Sequence, residues 1–563
     1  MKSIYLYCIC ILLYSCASSE NSGLSTQNDI SHPELPDRPN ILWIVAEDLG
    51  PYIPSFGDST IETPHLSWLA SEGVCYDHFY TPSPVCAPAR SAIATGMYPT
   101  AIGTNHMRTG PWYAAQLPPA YQAVIDQQIA DGAKFYEAIP PKEVKMFSEY
   151  LRKAGYYCTN NAKEDYQFKR PVTAWDECGR TAHWQNAPVG QPFFSMMTLE
   201  VTHESRIWQK AEDSLWVDTN LEVPVPPYLP NTEVAKNDIR RMYSNIKEMD
   251  HQVGEIIQEL KDAGELENTI IFWYTDHGGP LPRQKRLLYD SGLKVPMIVR
   301  YPKAQYAGQR DERLISFIDL APTAMSIAGL NIPSYMNGQS FIGDGQKAAR
   351  DYIYAAADRF DETTDTDRAV RDHRYKYIKH YKPELPMFLH VAYRDQMPIM
   401  RELYRLRDAG ELTTEQALWF AETKPEEELY DTQTDPHEVN NIADDPNYQD
   451  KLIELREACA EWIESTNDRN IIPEEELLQQ ILPDGIQPVT ADPTYSISDG
   501  QVTLTSNTAG ASIGYKYVET DSLPGMNNWS VYDGPFTISS DKELVTIAHR
   551  IGYKPSEIVS VER

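Results

Sequence analysis

The sequence predicts an α/β protein: a doubly wound, mixed-sheet core, a smaller α+β C-terminal subdomain and an appended β-sandwich. Three observations point to it. Short, nearly continuous apolar runs mark strands buried on both faces. Helical periodicity fills the stretches between those runs. Late in the chain the character shifts to Thr-, Ser-, Tyr- and Val-rich segments broken by turn residues.

The first apolar run is Asn40 to Ala46, which ends in Glu47-Asp48. Phe193 to Val201, Thr269 to Tyr274 and Val295 to Tyr301 repeat the pattern. Met242, Ile246, Met249, Val253, Ile256 and Leu260 recur at helical spacing and define one apolar face. Val144 to Ala154 and Arg313 to Ala328 are expected as further helices. Strands alternating with helices place the core over residues 38–345. Over residues 346–483, Asp351 to Ala356 and Arg368 to His380 read as antiparallel strands, and Leu452 to Trp462 as a helix. Over residues 484–563, Gln501 to Ser506, Ala511 to Val518, Trp529 to Tyr532 and Leu544 to His549 read as short sandwich strands. Through Ile513-Gly514-Tyr515 and Tyr532-Asp533-Gly534-Pro535-Phe536, this last unit resembles the small sandwich attached to the end of some bacterial glycan-degrading enzymes. The favoured reading is a packing or spacer module without a ligand.

The chain opens with Met1-Lys2 and an apolar run from Ile4 to Tyr14. A basic start and a short apolar stretch make a signal peptide, too short to span a membrane as a helix. Leu13-Tyr14-Ser15-Cys16 resembles a lipobox, with Cys16 as the lipidation site. Residues 1–16 are then a lipoprotein signal and residues 17–37 a polar tether. The expectation is an exported, lipid-anchored protein at a membrane, periplasmic or on the cell surface. Ordinary signal-peptide cleavage nearby is the alternative.

A formal net charge of −31 argues against a nucleic-acid partner, which calls for a basic face. It leaves room for a small anionic substrate if the site itself is basic. Cys8, Cys10 and Cys16 lie in the export segment. Cys75, Cys86, Cys158, Cys178 and Cys459 are odd in number and irregular in spacing, so neither a disulfide scaffold nor a zinc site is indicated.

Pro84-Val85-Cys86-Ala87-Pro88-Ala89-Arg90-Ser91 places a cysteine just before a helix and near an arginine. From the residues alone this is either an activated thiol or a buried thiol in a turn. Glu47-Asp48 and Asp276-His277 each close a strand and read either as metal ligands or as caps and solvated loops. Lys285 beside Arg286 reads as a solvated face, and His203 after Val201 serves a structural role as readily as a chemical one.

Cys86-x-Pro88-x-Arg90, with Ser91 and Thr95-Gly96, resembles the signature of the type I sulfatases of the alkaline-phosphatase-like superfamily. The resemblance spans about Arg38 to Ala443. It implies oxidation of Cys86 to formylglycine (3-oxoalanine) by a formylglycine-generating maturation enzyme. It implies a bound Ca²⁺ held by Glu47, Asp48, Cys86, Asp276 and His277. It also implies catalytic roles for Cys86, Arg90, Lys163, His203 and Lys285, with His203 serving the leaving oxygen. Asp165 stands where the family has a histidine, so either Asp165 or His106 is expected to deprotonate the nucleophile. The branch resembled includes heparan N-sulfatases and bacterial ulvan-type sulfatases. A sulfated carbohydrate is the implied substrate, ulvan-type favoured, with His106, Arg108, Asp358 and Arg359 as candidate sugar contacts. A phosphate or phosphonate ester hydrolase, or a catalytically silent glycan-binding lipoprotein, are the competing readings.

Overall fold

A computed structural model describes residues 33–110, 135–519, 524–538 and 542–562. The signal peptide, Cys16 and most of the tether lie outside the described residues.

The core is one nine-stranded mixed sheet. Its strands are β1 (Asn40–Ala46), β2 (Val74–Tyr80), β3 (Tyr157–Asn161), β4 (Glu177–Cys178), β5 (Phe193–Leu199), β6 (Thr269–Thr275), β7 (Lys294–Arg300), β8 (Gln309–Asp311) and β9 (Ile315–Ser316). The order is β4-β3-β5-β1-β6-β7-β2-β8, with β9 also on β2. The β4 to β6 half is parallel, and β7 runs antiparallel to both β6 and β2. Every residue of β1 and β6 is buried, as continuous apolar runs require of strands covered on both faces. One apolar cluster, built around Trp43, Phe147, Phe194 and Phe272, covers one face of the sheet. The other contains Ile44 and Trp273 together with Met242, Ile246, Met249 and Val253 from the helix Glu233–Asp262.

Two helices start later than the periodicity predicts. The Val144 to Ala154 segment is helical only over Phe147–Lys153, because Glu149 reaches back to the Met146 N–H and caps the helix there. The Arg313 to Ala328 segment is helical from Phe317, with the α-helix at Leu320–Ile327. Its first residues are claimed by pairing of β9 with Phe79 and Tyr80 of β2, a tertiary contact that overrides local periodicity.

The α+β subdomain carries a second sheet in the order β10 (Ile353–Ala357), β11 (Asp367–Arg371), β12 (Tyr375–His380) and β13 (Glu427–Asp431), all antiparallel. The helix Gln449–Thr466 packs Leu452, Leu455 and Cys459 against it. The C-terminal unit has two facing sheets. One is β14 (Thr494–Ser498), β15 (Gln501–Thr505) and β18 (Phe536–Thr537). The other is β17 (Ser530–Val531), β16 (Ser512–Val518), β19 (Glu543–His549) and β20 (Val559–Val561). This unit docks on the core: Lys145 donates to the Gly510 carbonyl at 2.6 Å, and Trp529 packs with Val172.

Candidate active site

Strand register brings the acidic pairs together. Ala46 is level with Leu199 of β5 on one side and Thr275 of β6 on the other. The three parallel strands therefore end at one level, where α/β sheets gather their ligands. Glu47-Asp48, His203-Glu204 and Asp276-His277 follow those ends. The Asp48 N–H donates to Asp276 Oδ1 at 3.1 Å, and the Glu204 N–H donates to Asp48 Oδ2 at 2.7 Å. Gly278 makes the turn after His277 possible: a Cβ there would lie 2.1 Å from the Ser291 carbonyl oxygen.

Cys86 opens the helix Cys86–Thr95, all ten residues of which are buried. Val85 supplies no side-chain cap, so the positive end of the helix falls at Cys86. Its Sγ is 3.3 Å from His277 Nε2 and 4.0 Å from Asp48 Oδ1.

Four carboxylates meet four permanent cations around this thiol. Arg90 donates through Nε to Asp276 Oδ2 (3.1 Å) and through Nη2 to Glu47 Oε1 (3.2 Å). Lys163 pairs with the same Glu47 oxygen. Lys285 Nζ lies 2.8 Å from Asp48 Oδ2 and 3.0 Å from Glu204 Oε1. Arg286 grips Glu204 through both terminal nitrogens at 2.9 and 3.0 Å.

Burial would raise the Cys86 thiol, but the Lys163 and Lys285 ammoniums outweigh it and hold the thiol below its ordinary value. Burial raises Glu47, and Lys163 only partly offsets it. For Asp48 burial is overcome by Lys285, His203 and His277, which leave it well below the carboxylate range. Burial would lower His277, yet Asp276, Asp48 and the Cys86 thiolate push it up to about 10. His203 is pushed down to about 4, chiefly by burial.

His203 is held at both ring nitrogens. Its Nδ1 lies 2.9 Å from the Ser205 hydroxyl and 3.3 Å from the Ser205 backbone nitrogen. Its Nε2 lies 3.5 Å from Lys285 Nζ.

Cys86, Asp276 and His277 offer ligand atoms within 4.8 Å of one another, as do Asp48, Cys86 and His203. This buried, largely anionic donor set fits a divalent cation. Glu47, expected as a ligand, stands beside these groups, and its longer side chain reaches Arg90 and Lys163.

The expected sugar contacts divide. Arg108 remains partly exposed over the Tyr393 ring at 5.5 Å, and Tyr393 in turn approaches His203. Asp358 is buried, and its carboxylate accepts from Arg368 (2.9 Å) and Asn105 (2.5 Å). Arg359 is spent on Glu474 at 2.6 and 2.8 Å. His106 is buried, and its Nδ1 accepts the Arg359 N–H at 3.3 Å. None of its described contacts is with Cys86, Asp48 or His277. Asp165 is buried within the field of both Arg90 and Arg108. Glu204, Arg286 and Asp361 escaped the sequence reading. Their one signal was adjacency, of Glu204 to His203 and of Arg286 to Lys285.

A profile of the sulfatase family matches residues 39–330, and one described as the C-terminal part of N-sulphoglucosamine sulphohydrolase matches residues 283–416. An ulvan-active sulfatase of Formosa agariphila is 46% identical over 100% of this chain and 97% of its own length. Human N-sulphoglucosamine sulphohydrolase is 24% identical, covering 80% of this chain and 95% of its own. Among solved structures, BT1596, described as a 2-O GAG sulfatase, superposes with a TM-score of 0.54. It has 19% identity and covers 77% of this chain and 93% of that one, a likeness that concerns the fold. With its cysteine motif at a helix start, its acidic pairs at matched strand ends and a relative this similar over its full length, the chain belongs to the sulfatase family and is a sulfuric ester hydrolase.

Proposed function

We propose that the protein removes sulfate from a sulfated polysaccharide or its oligosaccharides, of the ulvan type, using a formylglycine made from Cys86 and a bound Ca²⁺. The observation that carries the chemistry is the approach of His203 Nε2 to Lys285 Nζ, 3.5 Å apart over Asp48. The Lys285 ammonium and a protonated His203 can both donate to one anionic oxygen set beside the pair. The full-length likeness to an ulvan-active sulfatase supports the substrate class.

Cys86 Sγ occupies the place that the oxygens of the modified side chain would take. Formylglycine, once formed and hydrated, supplies the hydroxyl nucleophile. Asp48, Asp276 and His277, with the residue 86 side chain, would hold Ca²⁺, which supplies Lewis acidity. The protein's own residues do the rest. Arg90 and Lys163 fix Glu47 and Asp276 and keep the floor of the site positive. Lys285 binds the sulfate, and His203, protonated beside the bound anionic substrate, gives its Nε2 proton to the leaving oxygen and returns to the neutral ring. Asp165, near Arg90, takes the proton of the nucleophile. Arg108 and Tyr393 form the rim that the sugar passes. Cys86 is 1% exposed, so a formylglycine-generating enzyme would have to reach it before the chain folds. We further propose export and anchoring through a lipidated Cys16.

A phosphonate or phosphate ester hydrolase reading fares worse, because the relative that is 46% identical over the full chain is an ulvan-active sulfatase. The silent glycan-binding reading lacks its expected sign, the loss of Cys86, the lysines or the acidic pairs.

The test is release of free sulfate from ulvan oligosaccharides and from heparan-type saccharides, with protein co-produced with a formylglycine-generating enzyme and Cys86→Ala as blank. Release confined to ulvan oligosaccharides is expected. Release only from the heparan panel would replace the substrate, and none from either by formylglycine-bearing protein would defeat the assignment.

A further inference from the structure

A lysine ammonium sits on a flexible four-carbon stem and has no fixed direction of its own. In this site Lys285 is given one. Fully buried Glu204 pairs through Oε1 with the Lys285 ammonium at 3.0 Å and accepts from Arg286 Nη2 at 2.9 Å. The Glu204 backbone N–H donates to Asp48 Oδ2, the same oxygen that takes Lys285 at 2.8 Å. The ammonium is thereby held between two carboxylates, with His203 Nε2 3.5 Å away.

Arg286 in turn is anchored from two directions. Its backbone is held in the left-handed region (φ 78°), with its N–H on the Pro84 carbonyl at 2.9 Å, two residues before Cys86. Its Nε donates at 2.7 Å to Asp361, a residue of the α+β subdomain. Asp361 also lies 3.5 Å from Arg108 at the rim. A chain of ion pairs, buried except at Arg108, thus runs from the rim and the subdomain to Lys285.

We propose that Glu204 is a positioning residue that aims Lys285 at the sulfate, and that the Arg286–Asp361 pair ties this aim to the C-terminal subdomain. The inference rests on Lys285 being the sulfate-binding cation. Preorganised donors act most strongly on charge that develops in the transition state, so the loss belongs mainly to kcat.

The experiment is a mutant cycle on the matured full chain, read as sulfate release, with melting temperature and formylglycine content checked for each variant. Glu204→Gln is expected to lower kcat about 30-fold with KM within about 3-fold, and Asp361→Asn to lower kcat about 5-fold. In a Lys285→Ala background both changes are expected to cost less than about 2-fold, because their effect passes through the lysine. Glu204→Asp, which keeps the charge, is expected to recover part of the loss. Losses that stay additive without Lys285, or full kcat in folded, formylglycine-bearing Glu204→Gln, would overturn the idea. If Glu204→Gln does not fold, Asp361→Asn decides alone. If wild type carries formylglycine and spares the glycans, the substrate assignment falls, and the same cycle is read on an aryl sulfate.

Discussion

His203 Nε2 and Lys285 Nζ lie 3.5 Å apart over a shared carboxylate, Asp48. Both nitrogens can reach one further anionic oxygen set beside them, which is the form a sulfate-binding pocket should take. The two residues should separate kinetically. Lys285→Ala is expected to lower kcat/KM about 100-fold on any sulfate ester, as for loss of one preorganised donor. His203→Gln should cost about 100-fold on sugar sulfates but far less on aryl sulfates, whose leaving groups need no proton. Equal losses on both substrates would remove His203 from the acid role.

Chelation should silence the enzyme. EGTA is expected to abolish sulfate release, and added Ca²⁺ to restore it. Asp276→Asn should weaken Ca²⁺ binding, measured by calorimetry, about 10-fold or more. Full activity in metal-free protein would dismiss the cation from the mechanism.

Asp165 replaces the histidine expected beside Lys163, and it lies in the field of Arg90. Asp165→Asn is expected to lower kcat about 100-fold while leaving KM nearly unchanged, as for loss of a general base. Unchanged turnover would assign the proton to another group.

The subdomain should carry a pH-dependent share of stability. His380 is buried between Asp367 (2.7 Å) and Glu428 (3.6 Å). Burial would lower its pKa, but Asp367 and Glu428 push it up to about 10, above the ordinary 6.5. Its folded form holds the proton more tightly than its unfolded form. The stabilisation is therefore complete below pH 6.5 and is lost as pH rises through about 10. Thermal melts of His380→Gln should fall below wild type by on the order of 2 kcal/mol near pH 6, and the gap should close toward pH 10. A gap that widened with pH would refute the pairing.

Local chemistry made much of this protein legible. Residues buried on both faces of a sheet must be apolar throughout, so β1 and β6 stood out as continuous runs. The long helix showed because one face is buried and the other wet. Cys86, Arg90 and the acidic pairs lie within short segments whose order along the chain is itself the signal. The sugar-contact candidates show the limit of such reading, since nothing local in the sequence pairs Asp358 with Arg368 or Arg359 with Glu474.

The sequence alone determined the fold class, the position of the cysteine and the strand ends that carry its acidic neighbours, because each depends on residues close together in the chain. Only the tertiary structure decided that Glu204 clamps Lys285 across 81 positions and that Asp361 reaches Arg286 from another subdomain. Ion pairs of that kind are fixed by strand register and by the exclusion of water, and neither leaves a periodic mark in the sequence.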